Sequence, residues 1–473
     1  MNDRETKENA SSNGRARISA DAVVALLLAL ANLAVLFSCW QTVGVQADES
    51  MNIYGALRML EGERIYRDFW VYNTPGIFTL TAAVFSVFGK SLFAIRVVLI
   101  LAASATASGL FLLGRKFMGP FPSALASVLF IMAGVNLWPV AGYHWYSTMV
   151  LVFGLLFVSR FLEDRSRKKS LFAGGFLAAM VFMFQQPKGG YLLCLLSLFL
   201  VVDELLQKGE SPPIARLLRT GAIFAGGAVT PILVAALYFA LAGTFQEAVS
   251  ATIIFPIKLL SSTGGEAGYA GFYGALTEHV LAQIVNQSSL LGNGAWAVSV
   301  EVFLINFAAP FSIFLALCLW IIVRLRGGKE SAIPVACSAG ALAALGSALQ
   351  KPDFFHLLTV QAPCYLTLAY IFHCIAGPGR NGKFLAVRKM AAVVLAAIIV
   401  VSCARILAAE LFYASRIRPV SLGSSLGLFR LRKKKPTPWR RDIRSWVLSS
   451  SSSLTPRRTR RSSRCRFHRS SIT

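Results

Sequence analysis

Residues 20–43 read ADAVVALLLALANLAVLFSCWQTV and carry a single charged side chain, Asp21. A transmembrane α-helix needs about 20 mainly apolar residues in a row, so this stretch is long enough to cross a membrane. No small-residue cleavage site follows a short apolar core, which favours an uncleaved first span over a signal peptide. Arg15 and Arg17 precede the stretch and predict that the polar segment 1–19 is cytoplasmic.

Ten more apolar segments follow and bring the predicted number of spans to about eleven. They lie near residues 92–114, 120–136, 146–161, 170–185, 191–206, 219–242, 298–323, 331–349, 357–377 and 388–409. Of the 473 residues, 55% are hydrophobic and only 15% are charged, which excludes a soluble protein with several aqueous domains. The sequence therefore predicts an all-α polytopic membrane protein.

The segment 74–89 is apolar but short for a membrane span. If it does not cross, five clusters of basic residues between spans all fall on the N-terminal side, as the positive-inside rule requires. The clusters are Arg115/Lys116, Arg165/Arg167/Lys168/Lys169, Lys208/Arg216/Arg219, Arg324/Arg326/Lys329 and Arg380/Lys383/Arg388/Lys389. We therefore expect residues 74–89 to form a helix at the outer interface, with the N-terminus inside and the C-terminus outside.

This topology gives the domain organisation of the chain. The transmembrane domain covers residues 20–410, with interfacial helices in a first outer loop at 44–91 and a long outer loop at 243–296. The inner loops are short and basic, whereas the outer loops carry acids, aromatics, histidines and prolines. We expect a multi-pass protein of the plasma (inner) membrane whose functional site lies on the outer, periplasmic face.

The tail, residues 411–473, differs abruptly from the rest of the chain. From Ser415 onward it holds 17 Lys/Arg and one acid, so it accounts for +16 of the net charge of +25. Three interpretations stay open: a disordered segment that binds anionic lipid, an arginine-rich arm that binds RNA, or a segment translated out of frame. Because the topology places the tail outside, we expect no nucleic-acid partner.

An ordered series of motifs follows the first span. In chain order these are Asp48-Glu49, the pattern G-x-x-x-Y-x-D-F-W at 62–70, the turn Pro75-Gly76, an apolar helix that ends with Phe88-Gly89, and Arg96 in the next span. The series resembles the integral-membrane GT-C glycosyltransferases, which include protein O-mannosyltransferases, lipid A aminoarabinose transferases and enzymes that add sugars to lipopolysaccharide cores. The motifs cover about residues 45–100, and the topology extends the resemblance to about residue 410.

The resemblance implies a glycosyltransferase that takes a sugar from a polyprenyl-phosphate carrier and passes it to a lipid, glycan or protein acceptor in the membrane. It implies that Asp48 is the general base, with Glu49 as its catalytic neighbour. A base is needed to deprotonate the acceptor, whereas the phosphate leaving group needs cationic stabilisation. Capping of the next helix is the alternative role for the two acids.

Basic and aromatic side chains of the outer loops are candidates for substrate binding. Lys188, in the sequence QQPKGG, and Arg96 are the preferred phosphate ligands, and snorkelling to the interface is the alternative for each. The full substrate-binding set is Arg58, Tyr66, Arg96, His144, Lys188, Asp353 and His356. An aromatic belt is the alternative for the residues around His144, and a helix N-cap is the alternative for Asp353.

The sequence leaves a divalent metal requirement open. Some members of the family carry a second acid where this chain has His144 and Ser147, and this difference argues against a metal bridged by two carboxylates. Two other functions also stay open: a transporter or flippase of lipid-linked glycans, and an inactive, truncated family member. The predicted spans carry almost no charge at mid-membrane depth, which argues against the transporter.

Overall fold

The computed structural model describes residues 2–207, 212–262, 303–325, 331–348, 354–376 and 385–416. Several features singled out above lie outside the described residues: most of the long outer loop, Asp353, the tail after residue 416, and Lys208, Arg326, Lys329, Arg380 and Lys383 of the basic clusters. The chain divides into two units, Met1–Leu428 and Phe429–Thr473, and the architecture below is that of the first.

Helices make up the architecture of the described residues. They are α1 (Asn2–Cys39), α2 (Ala47–Leu60), α3 (Gly76–Phe88), α4 (Leu92–Gly114), α5 (Pro120–Met132), α6 (Tyr143–Glu163), α7 (Lys168–Phe184), α8 (Gln186–Leu206), α9 (Pro213–Leu241), α10 (Phe245–Val249), α11 (Phe255–Ser262), α12 (Ala309–Leu325), α13 (Ile333–Ala348), α14 (Phe354–Leu358), α15 (Gln361–Ala376) and α16 (Leu385–Arg416). Short π-helical segments, Ser250–Ile254 and Leu304–Ala308, precede α11 and α12, and a 3-10 turn, Val135–Leu137, follows α5.

Seven helical segments among the described residues are long and apolar enough to cross a membrane. They are Ala20–Cys39, Leu92–Gly114, Pro120–Leu137, Tyr143–Glu163, Gln186–Leu206, Pro213–Leu241 and Ala392–Arg416. Shorter apolar helices include Ala309–Ile322 and Ile333–Ala348. The prediction of an all-α polytopic membrane protein is confirmed, and the number of eleven spans stays a prediction.

Contacts between helix ends fix the direction of the first helices. Where α4 begins, Arg96 Nη1 lies 2.5 Å from the carbonyl oxygen of Trp40, just after α1 ends. Where α4 ends, Arg115 Nε lies 2.9 Å from Asp21 Oδ1 in α1. Helices α1 and α4 are therefore antiparallel, and residues 40–91 begin and end at the same end of the bundle. We call this the first-loop end. That α2 and α3 lie at the interface without crossing the membrane stays a prediction.

Glycines bring two of the central helices into close contact. A Cβ atom at Gly175 in α7 would overlap the carbonyl of Phe224 in α9, and one at Gly227 in α9 would overlap the carbonyl of Phe172 in α7. Small residues allow such backbone approach, and van der Waals packing is the main attraction between helices in lipid. The packed helices in turn hold α6 and α8, whose N-terminal turns carry the site described next.

One sequence prediction about this region is wrong. Residues 185–190 were expected to form an outer loop before a span at 191–206, but α8 begins at Gln186, directly after α7. Pro187 occupies the first turn, where its missing N–H costs nothing. A Cβ atom at Gly189 would overlap the backbone of Phe182, so glycine permits the sharp α7–α8 junction.

Candidate active site

A fully buried ion pair joins the first loop to the next long helix. Glu49 in α2 and Arg96 in α4 are almost inaccessible to solvent, with side-chain exposures of 0% and 2%. The two groups pair in a bidentate manner, with Arg96 Nε 3.0 Å from Glu49 Oε1 and Arg96 Nη2 2.7 Å from Glu49 Oε2. Such planar, two-pronged geometry is the strongest arrangement of a guanidinium and a carboxylate.

The remaining hydrogen-bonding groups of this pair are also satisfied. Arg96 donates to the carbonyl oxygens of Trp40, Val43 and Gly44, the residues that connect α1 to α2. Glu49 Oε1 accepts a hydrogen bond of 2.9 Å from the backbone N–H of Ala141, just before α6. The pair therefore ties the start of α2 to α4 and to the α5–α6 connection, which is a positioning role.

Asp48, the neighbour of Glu49, has a different environment. Its side chain is 35% exposed, and its Oδ2 lies 3.9 Å from Nε2 of His144. Asp48 lies in the first turn of α2, where the positive end of the helix dipole favours a negative charge. Of the two acids, Asp48 is thus the one that a substrate can reach.

His144 lies in the first turn of α6 among polar and aromatic side chains. Gln185 Nε2 lies 3.2 Å from His144 Nδ1, and Ser147 Oγ donates to Gln185 Oε1 at 2.9 Å. The His144 ring lies 4.0 Å from the ring centroid of Tyr143 and 4.7 Å from that of His356. These contacts hold the imidazole in one orientation beside Asp48.

Lys188 lies in the first turn of α8 and is completely buried. Its Nζ donates to three oxygens: the carbonyl of His144 at 3.1 Å, Ser147 Oγ at 2.9 Å and Thr148 Oγ1 at 2.7 Å. An ammonium group has three N–H donors, so all of them have partners within the protein. Lys188 therefore fixes the first turn of α6, which carries His144, to the start of α8.

The two preferred phosphate ligands are thus engaged in the protein interior. Arg96 is held by Glu49 and by three backbone carbonyls, and Lys188 is held by α6. A donor phosphate would have to displace these partners to reach either side chain. Their predicted contact with a phosphate stays untested, and the geometry favours structural roles for both.

Arg58 and Tyr66, which were also predicted to bind substrate, shape the first loop. Arg58 forms an ion pair with Glu63 and donates to the Asp68 carbonyl oxygen at 3.2 Å. Tyr66 has a positive φ of 72° and its hydroxyl donates to the Asn73 carbonyl oxygen at 2.9 Å. Burial raises the pKa of Tyr66 well above its ordinary value, so the phenol stays a neutral donor.

The remaining predicted residues divide between the cluster and the undescribed part of the chain. His356, in α14, is brought to His144, whereas Asp353 lies outside the described residues. Sequence reasoning missed Gln185 and Thr148; Thr148 Oγ1 donates to the Thr359 carbonyl at 2.6 Å and so links α6 to the α14–α15 connection. The sequence did offer a sign of Gln185, because two glutamines, Gln185 and Gln186, stand together between two apolar segments.

Within the described ranges, no three His, Cys, Asp or Glu side chains lie close enough to hold a metal ion.

Comparison with known proteins identifies the fold. No family model and no curated protein match the sequence. The Archaeoglobus fulgidus oligosaccharyltransferase in complex with Zn and sulfate matches with a TM-score of 0.51 and 14% identity, over 83% of this chain and 53% of that chain. The same enzyme tethered to an acceptor peptide containing the NVT sequon matches with a TM-score of 0.51 and 12% identity, over 83% of this chain and 55% of that one.

ArnT from Cupriavidus metallidurans, bound to undecaprenyl phosphate, has a TM-score of 0.46 and 14% identity, over 87% of this chain and 76% of that chain. The chain spans about half the length of the oligosaccharyltransferase structures that it matches. The likeness to the oligosaccharyltransferase structures shows the fold alone, and the predicted GT-C-like membrane fold is confirmed.

Proposed function

We propose that this protein is a glycosyltransferase that moves a sugar from a polyprenyl-phosphate carrier to a lipid, glycan or protein acceptor, with Asp48 as the general base. One observation carries the proposal. Of two adjacent acids in the first loop, Glu49 is buried and paired with Arg96, while Asp48 stays accessible beside His144. A fold that positions one accessible carboxylate so firmly suits proton abstraction from an acceptor.

The chemistry requires one proton transfer from the acceptor. Asp48 removes the proton from an acceptor hydroxyl or amine as the heteroatom attacks the anomeric carbon of the donor sugar. The bond between that carbon and the phosphate oxygen breaks, and polyprenyl phosphate leaves with the bonding electron pair. Phosphate is a good leaving group without protonation, so no general acid is required on the leaving-group side. Attack opposite the leaving group inverts the anomeric centre.

The other residues of the cluster position this carboxylate. The Glu49–Arg96 pair fixes the first turn of α2, which carries Asp48. Lys188 and Gln185 fix His144, whose Nε2 faces Asp48. A carboxylate carried on a fixed helical turn beside a fixed imidazole needs little reorganisation when the acceptor arrives, and preorganisation of this kind lowers the barrier to reaction.

The charge distribution supports placing the site on the outer face of the inner membrane. Arg115, Lys116 and Arg165 lie at the end of the bundle opposite the first loop. Positive charge between spans accumulates on the cytoplasmic side, so the first-loop end faces outward. Asp48 would then meet lipid-linked sugars and acceptors at the periplasmic surface.

The test is the release of free polyprenyl phosphate by the purified, full-length protein in detergent. A panel of polyprenyl-phosphate sugars is supplied with and without total cell-envelope lipid as acceptor, and each reaction is run with and without a chelator. Release that depends on the acceptor is the expected result, and the chelator arm establishes whether a metal is required.

A parallel assay tests the flippase alternative. The protein is reconstituted in liposomes, and movement of a fluorescent lipid-linked sugar across the bilayer is followed. If the folded protein moves this lipid and releases no polyprenyl phosphate from any donor, the transferase proposal is wrong. If it does neither, the chain is an inactive family member.

A further inference from the structure

Three aromatic rings form a surface cluster that the catalytic proposal does not use. Trp70 and Tyr72 come from the first loop and Phe255 from the start of α11. The Trp70 and Phe255 rings meet edge to face with centroids 4.8 Å apart, and Tyr72 lies 6.0 Å from Trp70 and 6.1 Å from Phe255. Trp70 is 50% exposed and Tyr72 is 43% exposed. We call these three residues the aromatic trio.

The trio is assembled by contacts between two segments that are far apart in sequence. Arg64 Nη1 donates to the Ala242 carbonyl oxygen at 2.5 Å, and the Tyr66 ring lies edge to face with Phe239, 5.3 Å between centroids. These contacts dock the first loop against the end of α9 and so place Phe255 beside Trp70. The three rings therefore form one joint surface.

The trio adjoins the candidate active site. Gln186 Nε2, at the start of α8, donates to the Tyr72 carbonyl oxygen at 2.5 Å. The preceding residue, Gln185, lies 3.2 Å from Nδ1 of His144, whose Nε2 lies 3.9 Å from Asp48 Oδ2. The start of α8 therefore contacts both the loop that carries the trio and the histidine beside Asp48.

The chemistry of the trio selects a neutral ligand with flat apolar faces. The three rings carry no charge, so they lack the cation that best stabilises the phosphate of the donor. Exposed indole and phenol rings present an apolar face with a polar edge, which matches the C–H face and hydroxyl rim of a pyranose. Ligand sites commonly combine aromatic walls with a few polar groups in this manner.

We propose that the aromatic trio binds a sugar ring of a glycan acceptor and so delivers its hydroxyl to Asp48. The assignment rests on the proposed transferase function and adds the chemical class of the acceptor. The acceptor is chosen over the donor because it must place a hydroxyl at the base, and Trp70 and Tyr72 lie in the same first loop as that base. The donor, in contrast, is held through a lipid tail and a phosphate.

The experiment measures transfer as the amount of acceptor is varied. Total cell-envelope lipid is titrated at fixed donor with the full-length wild type, Trp70→Ala, Trp70→Phe, Phe255→Ala and Phe88→Ala. Phe88 is the matched control, because it is a 68% exposed aromatic at the end of α3 and outside the trio. Circular dichroism and thermal unfolding in detergent establish that each variant is folded.

We expect Trp70→Ala and Phe255→Ala to raise the half-saturating amount of acceptor about tenfold, as loss of an aromatic anchor does at binding sites. Their maximal rate and half-saturating donor concentration should stay within about twofold of the wild type. Trp70→Phe should retain most of the affinity because it keeps a ring. Soluble glycans released from the same envelope lipid by mild acid should inhibit transfer to the lipid acceptor by the wild type. The same glycans should not inhibit transfer by Trp70→Ala.

Several outcomes would overturn the assignment. Unchanged acceptor saturation in both alanine variants would show that the trio binds no acceptor, and an equal effect of Phe88→Ala would show that these aromatics serve membrane anchoring. Failure of the soluble glycans to compete would show that the acceptor is not recognised by its sugar. If the wild type transfers nothing, the proposed function itself fails and takes this assignment with it.

Discussion

The two ends of the helix bundle use charged residues in contrasting ways. At the end opposite the first loop, Glu204 in α8 accepts from Arg165 at 3.2 Å and from Thr220 at 2.9 Å, with Arg216 Nε at 3.6 Å. Asp203 is also paired with Arg165. Each of these two acids is matched by an arginine, and together they tie α8 to α9 and to the α6–α7 connection.

At the first-loop end, Glu49 also forms a buried ion pair that joins helices, whereas its neighbour Asp48 does not. Glu49 is matched by Arg96, but Asp48, among the described residues, has no Arg or Lys partner and faces His144. Paired charges thus hold helices together at both ends, while Asp48, next to the buried Glu49–Arg96 pair, stays accessible. Four substitutions test this contrast, in order of decreasing expected effect.

Glu49→Gln should produce the largest loss of stability. Glutamine keeps the shape of the side chain but leaves the buried Arg96 without a counter-charge, which costs about 3–5 kcal/mol when one partner of a buried pair is removed. The free energy of unfolding in detergent is measured by denaturant titration. Glu163→Gln is the control, because the Lys116–Glu163 pair is partly exposed and should contribute only about 0–1 kcal/mol. Equal stability of the two variants would contradict the structural role of Glu49.

Glu204→Gln should destabilise the opposite end without affecting transfer. The variant weakens the charge-assisted hydrogen bond from Arg165 and removes the ion pair with Arg216 in a nearly buried position, and we expect a loss of about 1–3 kcal/mol in the free energy of unfolding. The transfer rate per folded molecule should stay within about twofold of the wild type. A large fall in that rate would mean that the two ends do not have separate roles.

His144→Phe should reduce the rate of transfer while the fold is retained. Phenylalanine keeps the ring between Tyr143 and His356 but cannot bond to Gln185 or face Asp48 with a nitrogen. We expect kcat to fall roughly tenfold, the equivalent of one hydrogen bond, while KM for the donor changes little. A rise in KM with an unchanged kcat would instead assign His144 to donor binding.

Asp164→Asn should have the smallest effect, confined to the dependence of stability on pH. Hydrogen bonds from Ser166 and then from Arg167 lower the pKa of Asp164 below its ordinary value of 3.8. A carboxylate whose pKa is lower in the folded state stabilises the protein above its unfolded pKa, and this contribution disappears as pH falls through the folded pKa.

The measurement for Asp164 compares thermal unfolding of the wild type and Asp164→Asn. The wild type should be slightly more stable near about pH 7, and the difference should shrink toward about pH 3, below the unfolded pKa of an aspartate. A difference that grows on acidification would contradict the hydrogen-bonded geometry. The transfer rate serves as the control and should be the same for both proteins, because Asp164 lies at the end opposite Asp48.

Much of the fold could be predicted from the sequence because lipid imposes simple rules. Apolar length identified α1 and α4, and the short apolar segment 74–89 was correctly predicted to be a helix. The start of α8 was predicted wrongly, since Gln, Pro and Gly in QQPKGG are typical of a loop. What the sequence does not display is that Gly189 packs against Phe182 and so allows α8 to begin without a connection.

The candidate site could be located from the sequence but its roles could not be assigned. The motif series placed Asp48 and Glu49 together in the first loop, and both were given catalytic roles. The difference between them depends on Arg96 and on the backbone of Ala141, which are distant in sequence and meet Glu49 only in the fold. Lys188 was likewise predicted from its charge, whereas its function depends on burial against α6. Partners of buried charges are set by tertiary packing, which local sequence patterns do not encode.

The most direct test of the account compares Asp48→Asn with Asp203→Asn in the polyprenyl phosphate release assay. Both variants remove one negative charge and keep the size of the side chain, one at each end of the bundle. We predict that Asp48→Asn lowers the transfer rate about 10²- to 10⁴-fold, the contribution of a general base, while the free energy of unfolding falls by no more than about 1 kcal/mol, the contribution of an acid at a helix N-terminus. Asp203→Asn should keep a rate within about twofold of the wild type. If Asp48→Asn retains the wild-type rate, or if Asp203→Asn loses as much, Asp48 is not the base and the central claim is wrong.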